Sequence, residues 1–284
     1  MTARLIDGKA LAQRIRGEIA EEVRELGGLG LATVLVGDDP ASEIYINLKH
    51  KAANEVGIAA RDVRLASQTT EAELLEEVEQ LNGDDAIDGL LVQLPLPDHI
   101  DEARVIRALD PVKDVDGLHP LNAGQLYLGE PAHVGATPIG VMTLLEEYEV
   151  PIEGARAVVV GRSDIVGKPA AVLLLHANAT VTVCHSRTRD LASLTREAEI
   201  LVVAVGQAGV IGADDVGEGA VVIDVGMNRT DEGLRGDVDP AAAARAGLIT
   251  PVPGGVGPMT IAMLLKSTVK AARYRRGLLA FPGT

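Results

Sequence analysis

Apolar residues recur at helical spacing from Gly8 to Leu26, at Leu11, Ile15, Ile19, Val23 and Leu26. The run stops at Gly27-Gly28, where a helix ends readily. A solid apolar stretch, LATVLVG (31–37), follows and predicts a buried strand. The pattern then predicts a helix from Ser42 to Val56, a strand near Asp62–Leu65, a helix from Thr70 to Leu81 and a strand over DGLLVQ (88–93). Strand, helix, strand, helix, strand in that order implies a parallel sheet covered by helices.

After Pro151 the alternation restarts. ARAVVVG (155–161), a helix from Gly167 to Ala177, ATVTVCH (179–185), EILVVAVG (199–206) and AVVIDVG (220–226) have the order of a Rossmann-type dinucleotide domain. The last helix, Pro258 to Arg276, is expected to return to the first domain. The expected fold class is therefore α/β with two domains, 1–138 with 266–284 and 139–265.

Composition narrows the class of protein. At 284 residues the chain can bury two cores, and 47% apolar content excludes wholesale disorder. Apolar runs such as Ile200–Val205 are of strand length, short of the ~18 residues a membrane helix needs. The opening MTARLIDGKALAQR has no signal-peptide core, and the lone Cys184 suits a reducing compartment, so a cytoplasmic protein is expected. A formal charge of −15 argues against a nucleic-acid partner, and it leaves any anionic ligand to local arginines, lysines and backbone N–H groups.

The second half carries a candidate phosphate turn, VVVGRSDIVGKP (158–169), between a strand and a helix start. Gly161 and Gly167 let the backbone approach a pyrophosphate at a helix N-terminus. Where NAD enzymes place a ribose-binding carboxylate, this chain reads Cys184-His185-Ser186-Arg187-Thr188. A hydroxyl beside an arginine suits a 2′-phosphate, with Arg162 as a second candidate, which favours NADP. The bland alternative is an Arg187 that merely faces solvent.

In the first half, Ser42, Tyr45 and Lys49 share one helical face beside an apolar stripe of Ala41, Ile44, Leu48 and Ala52. Any surface helix can show that pattern. Two further segments add to it: DGLLVQLPLP (88–97) brings Gln93 to the carboxyl end of a predicted strand, and DPVKDVDGLHP (110–120) brings Asp114 and Asp116. The Asp116-Gly117 pair also reads as a simple turn. The six histidines show no paired metal spacing.

Taken together, YINLK with Ser42, DGLLVQLPLP, DPVKDVDGLHP, VVVGRSDIVGKP, CHSRT, VIDVGMN and PVPGGVGPMT stand in the order found in the methylenetetrahydrofolate dehydrogenase/cyclohydrolase family, which this chain resembles along nearly its whole length. The resemblance implies oxidation of 5,10-methylenetetrahydrofolate with NADP, then hydrolysis to 10-formyltetrahydrofolate. It implies a catalytic Lys49, a Tyr45 that positions the folate, a Gln93 that hydrogen-bonds Lys49 and an Asp116 that holds the pterin. Ser42, Pro253, Gly254, Gly255 and Pro258 would also meet the folate, and Gly161, Arg162, Ser163, Gly167, Ser186, Arg187 and Met227 the cofactor. A homodimer is expected as well, in part because the outer strand of an open sheet needs cover. A dehydrogenase without the hydrolytic step and a non-catalytic folate- or nucleotide-binding module are the alternatives.

Overall fold

The computed structural model describes residues 3–231 and 233–282. It opens with a two-residue strand, β1 (Arg4–Leu5), and a long helix, α1 (Gly8–Leu26). Next come β2 (Leu29–Val36), α2 (Pro40–Glu55), β3 (Ile58–Leu65), α3 (Glu71–Gly83), β4 (Gly89–Val92), α4 (Glu102–Ala108) and α5 (Pro120–Leu128). The chain continues through α6 (Ala136–Glu147), β5 (Arg156–Val160), α7 (Gly167–His176), β6 (Thr180–Cys184), α8 (Leu191–Arg196), β7 (Ile200–Val203) and β8 (Val221–Asp224). A hairpin of β9 (Asn228–Thr230) and β10 (Gly233–Arg235), a short β11 (Leu248–Ile249) and the helix α9 (Val256–Arg275) complete it. Among the described residues no helix is long and apolar enough to cross a membrane.

The chain divides into two units, Arg14–Val134 with the residues from Ile261 onward, and the residues up to Gln13 with Gly135–Thr260. In the first unit β2 lies between β3 and β4 in a parallel three-stranded sheet. Both faces of β2 are covered, which is why it reads as a solid apolar run. β3 is an edge strand. It starts at Ile58, four residues before the expected Asp62, a stretch where Ala59 and Ala60, weak strand formers, hide the pattern. Leu74, Val78 and Leu81 of α3 pack with Ala32, Val34, Leu90 and Val92 in one core. Thr70 and Glu73 close a capping box at the start of α3, satisfying N–H groups that the helix itself cannot.

Basic side chains serve the opposite helix ends. Lys113 is buried and donates to the carbonyls of Leu81, Asn82 and Asp84 at the end of α3 (3.1, 2.6 and 2.8 Å). Arg276 reaches the carbonyl of Gly28 (2.9 Å) beyond the end of α1. A cation at these sites meets both the orphan carbonyls and the negative end of the helix dipole. Arg275 bonds the carbonyl of Ile87 (2.8 Å) and the buried Asp88 carboxylate (2.7 Å), whose other oxygen accepts the Gly30 N–H (3.1 Å). The end of α9 thereby fixes the starts of β2 and β4.

The second unit holds a six-stranded parallel sheet in the order β1-β11-β8-β7-β5-β6. Its core joins Val158, Val160, Leu201, Val203, Val222 and Ile249, with Cys184 fully buried among them. The placement of β1 corrects the expected domain division. Arg4 and Leu5 pair with Leu248 and Ile249, and Lys9 donates to the Gly254 carbonyl (2.9 Å), so the first thirteen residues belong with the second unit. At the other end the division falls at Ile261 inside α9 rather than at residue 266.

Arg275→Ala would take the nearer cation from the buried Asp88 carboxylate, leaving it only Arg276 at 3.9 Å, and would remove the donor to the Ile87 carbonyl. Breaking one partner of a buried pair costs about 3 kcal/mol or more. Urea unfolding is expected to show a loss of that size, whereas a change within experimental error would mean that the tail only decorates the sheet.

Candidate active site

α2 starts under an Asp39 cap, whose carboxylate accepts the Ser42 N–H (2.8 Å). Its inward face is not the expected apolar stripe. Ile44 and Leu48 are 42% and 47% exposed, and the Ala41 side chain lies outside the described residues. The buried line instead runs Ser42, Ile46, Lys49, Ala53 and Val56, at the three- and four-residue spacing that keeps one helical face. Of the stripe's three described side chains only Ala52 is buried. Two polar side chains therefore stand on the packing face of α2, and Lys49 is 9% exposed there. Tyr45, one turn earlier, is half-buried.

Parallel strands bring the other groups to Lys49. Lys49 Nζ donates to Gln93 Oε1 (3.1 Å), one residue past the carboxyl end of β4. Gln93 Nε2 is itself spent on the Leu94 carbonyl (2.8 Å), so the amide presents its oxygen to the lysine. The 113–116 segment runs along the free edge of β4, with Leu90 opposite Asp114 and the Leu90 N–H on the Lys113 carbonyl (2.7 Å). Two residues on, Asp116 falls at the same end of the strand as Gln93. Burial lowers the Lys49 pKa, and the Asp116 carboxylate partly opposes that shift. A lysine so placed gives up its proton more readily than a free one.

Asp114, put forward with Asp116 by the sequence but given no role by the resemblance, holds this loop. It is 1% exposed and accepts the His119 N–H (2.7 Å) and Asn122 Nδ2 (2.9 Å) through one oxygen. Burial raises its pKa despite those bonds. Gly117 is required by packing, since a Cβ there would sit 2.7 Å from the Val134 Cα with φ at +65°. The sequence signal was two aspartates one residue apart before a glycine, of which the inner one is structural.

In the second unit the 161–167 turn joins β5 to α7, and each of its two ends has room for glycine only. A Cβ on Gly161 would lie 2.2 Å from the Ala204 carbonyl oxygen, and one on Gly167 would lie 2.3 Å from that of Gly161. Ser163 Oγ accepts the N–H groups of Val166 and Gly167 (3.2 and 3.3 Å) and shapes the turn. Arg162, Ser186 and Arg187 are exposed at the carboxyl ends of β5 and β6. The 185–188 turn is pinned by the His185 N–H on Thr188 Oγ1 (2.8 Å) and the Arg187 N–H on His185 Nδ1 (3.1 Å). The glycine cradle and the exposed arginines fit a dinucleotide phosphate. Met227 follows β8, and its methyl end lies against Gly257.

The glycines of PVPGG answer to the protein itself as well as to any ligand. Gly254 has φ at +113°, where a Cβ would meet only Pro251 Cγ at 3.9 Å, but a Cβ on Gly255 would sit 2.6 Å from that of Thr250. The Gly255 carbonyl in turn occupies the space a Cβ on Gly8 would need. Pro253 is exposed and Pro258 half-buried in the first turn of α9. These four residues sit in the second unit, whereas Ser42, Tyr45, Lys49, Gln93 and Asp116 gather in the first.

Comparison with known proteins gives a consistent picture. Residues 6–116 match the catalytic domain, and residues 135–276 the NAD(P)-binding domain, of the tetrahydrofolate dehydrogenase/cyclohydrolases. The bifunctional protein FolD of Halothermothrix orenii is 56% identical over 278 residues, 95% of this chain and 98% of its own. The crystal structure of the bifunctional FolD methylenetetrahydrofolate dehydrogenase/cyclohydrolase from Campylobacter jejuni superposes with a TM-score of 0.94 at 48% identity, over 96% of this chain and 99% of that one. The Trypanosoma brucei dehydrogenase-cyclohydrolase, solved with NADP cofactor and inhibitor, gives 0.92 at 42% identity, over 99% and 100%.

The charge arrangement around Lys49 sets the sign of a measurable shift. Asp116 favours the ammonium form, so Asp116→Asn is expected to lower the Lys49 pKa beyond its already depressed position. A ¹⁵N NMR titration of the side-chain nitrogen reads this directly. An unchanged or raised value in the variant would mean that the carboxylate does not act on the lysine.

Proposed function

Since this chain belongs to the tetrahydrofolate dehydrogenase/cyclohydrolase family and catalyses both the oxidation of 5,10-methylenetetrahydrofolate with NADP and the hydrolysis of the methenyl product, we propose that Lys49 carries the hydrolytic step. The observation that supports this most is a nearly buried lysine, held by Gln93 and faced by Asp116 at the carboxyl end of a parallel strand. The methenyl carbon is already cationic, so water needs no further electrophilic help. Water must lose a proton as it adds, and a ring nitrogen must gain one as the five-membered ring opens. The neutral amine of Lys49 can take the first proton and the ammonium can return it. Gln93 fixes the direction of Nζ, Tyr45 positions the folate, and Asp116 can accept two hydrogen bonds from the amino-bearing pterin ring. Ser42 and the 253–258 segment, with Pro253, Gly254, Gly255 and Pro258, are proposed as further folate contacts.

NADP, when bound, supplies the hydride acceptor of the first reaction. We assign its pyrophosphate to the Gly161–Gly167 turn, where glycines clear the backbone for close approach and the positive end of the α7 dipole favours an anion. Arg162, Ser186 and Arg187 would take the 2′-phosphate, and Ser163 and Met227 would flank the dinucleotide. Dehydrogenation asks mainly for orientation of two bound rings, which is a proximity effect and calls for no side-chain base.

The assembly we infer is a cytoplasmic homodimer joined through β6. That strand ends the sheet, so among the described residues no further strand pairs with its outer edge. It also exposes Val183, and Leu175 of α7, the helix that packs on it, is 57% exposed. A second β6 would cover both the polar edge and the apolar side chains.

Three outcomes are expected. Lys49→Met should lower methenyl-folate hydrolysis by about 10²–10⁴-fold, the usual range for general acid–base catalysis, while dehydrogenase activity survives. Hydrolysis at the wild-type rate, after correction for the spontaneous reaction, would remove Lys49 from the mechanism. Replacing Arg162 and Arg187 together by Ala should raise KM for NADP far more than for NAD, because charge-assisted phosphate contacts go; equal effects on both would misplace the 2′-phosphate. Light scattering should give a dimer that Val183→Lys dissociates, and a fully active wild-type monomer, or activity in the membrane pellet of fractionated cells, would contradict the assembly or its location.

A further inference from the structure

We propose that Asp237, backed by Asp224, is a positioning residue for hydride transfer. It fixes the two loops that follow β7 and β8. The proposal rests on the reading that NADP lies at the carboxyl edge of this sheet.

Both carboxylates are buried, at 0% and 4% exposure, in a place where the sheet could have ended in apolar side chains. Four N–H groups converge on Asp237. Its Oδ2 accepts from the backbone of Val205 and Gly206 (2.7 and 2.9 Å), and its Oδ1 from Gln207 N and Asn228 Nδ2 (both 2.9 Å). Three consecutive amides turned onto one anion form a nest, a concavity suited to a negative charge. Asp224, the last residue of β8, accepts the N–H groups of Gly226 and Val238 (both 3.0 Å) and of Asp237 itself (2.9 Å). Its own N–H is fixed on Thr250 Oγ1 (2.8 Å).

Glycines make room for each carboxylate. A Cβ on Gly226 would lie 2.2 Å from Asp237 Oδ1, and a Cβ on Gly236 would collide with the Asp224 carboxylate. Burial, reinforced by the Asp237 charge, lifts the Asp224 carboxyl to about 6 against the pull of its three backbone bonds. An ordinary loop anchor would not need two like charges side by side.

What the pair organises is specific. The 205–207 loop leaves the carboxyl end of β7, and the 226–228 segment leaves that of β8. These are the ends at which open α/β sheets receive ligands. Met227 lies between Gly226 and Asn228, each of which bonds one member of the pair. An Asn at 237 would offer one acceptor to four donors and turn an N–H₂ group onto the rest. The loops would shift while the strands beneath keep their own pairing.

The test is Asp237→Asn in the full-length enzyme, with both activities assayed in parallel and NADPH binding followed by fluorescence. Dehydrogenase kcat/KM is expected to fall about tenfold or more, the factor that follows loss of a hydrogen bond to a charged group. Cyclohydrolase activity, which depends on Lys49, is expected to stay within about twofold, since the four bonds to Asp237 all come from residues of its own unit. Unchanged dehydrogenase activity, or equal loss of both activities, overturns the proposal. If Asp237→Asn does not fold, Asn228→Ala removes a single donor and decides by the same ratio, a selective dehydrogenase loss supporting the proposal and unchanged activity overturning it. Arg187→Ala in the same titration separates the two readings. Unchanged NADPH affinity there would displace the cofactor from this edge and take the proposal with it, whereas weakened affinity beside an unaffected Asp237→Asn overturns the proposal alone.

Discussion

Parallel strand pairing is the constraint from which the rest follows. Parallel neighbours cannot be joined by a tight turn, so each connection crosses a face of the sheet, and here helices cover those faces. All the strands then end on the same edge, and their loops are brought together whatever their distance in sequence. In the first unit that edge gathers Gln93, the 113–116 segment and the inward face of α2 around one lysine. In the second it gathers the 161–167 turn, the 185–188 turn and the loops after β7 and β8. The two units use one architectural rule for different ends, a proton carrier in one and a phosphate cradle in the other.

Both sites place polar groups where packing alone would have chosen apolar ones. Lys49 sits on the buried line of a helix between Ile46 and Ala53, and its ammonium is disfavoured by desolvation. A lysine left in water would keep its proton through the neutral range and do no chemistry. Asp114, two residues before Asp116, follows the same logic in reverse: a buried carboxylate stiffens the loop so that its neighbour can face the site. Departures from the packing rule of this kind concentrate where function is carried.

That also explains what the sequence could and could not reveal. The central strands were legible because a strand buried on both faces reads as an unbroken apolar run, as β2, β5 and β7 do. β3 was shortened because its first half, residues 58–61, carries two alanines with weak strand preference. β1 and β11 are two residues each, below the length at which periodicity carries any signal, and their pairing moved the first thirteen residues to the other unit. The face of α2 was misjudged for a chemical reason. Ile44 and Leu48 look like anchors by hydrophobicity, and nothing in a single sequence says that Ser42 and Lys49 turn inward instead. The chain order of the motifs told more about the site than periodicity did, whereas nothing in the sequence marked Asp224 and Asp237 as a buried pair.

The interrupted course of the two units bears on how the protein is made. Residues up to Gln13 wait for Gly135–Thr260, and Arg14–Val134 wait for the residues from Ile261 onward. On the ribosome the nascent chain therefore exposes β2, α2, β3, α3 and β4 long before Arg275 and Arg276 arrive to close the ends of those elements. Until then the Asp88 carboxylate has no cation and the carbonyls after α1 have no donor. The lysine-bearing unit is the first to be translated in bulk and the last to be completed, and loss of the final helical turn would strand it in the state it occupies during synthesis.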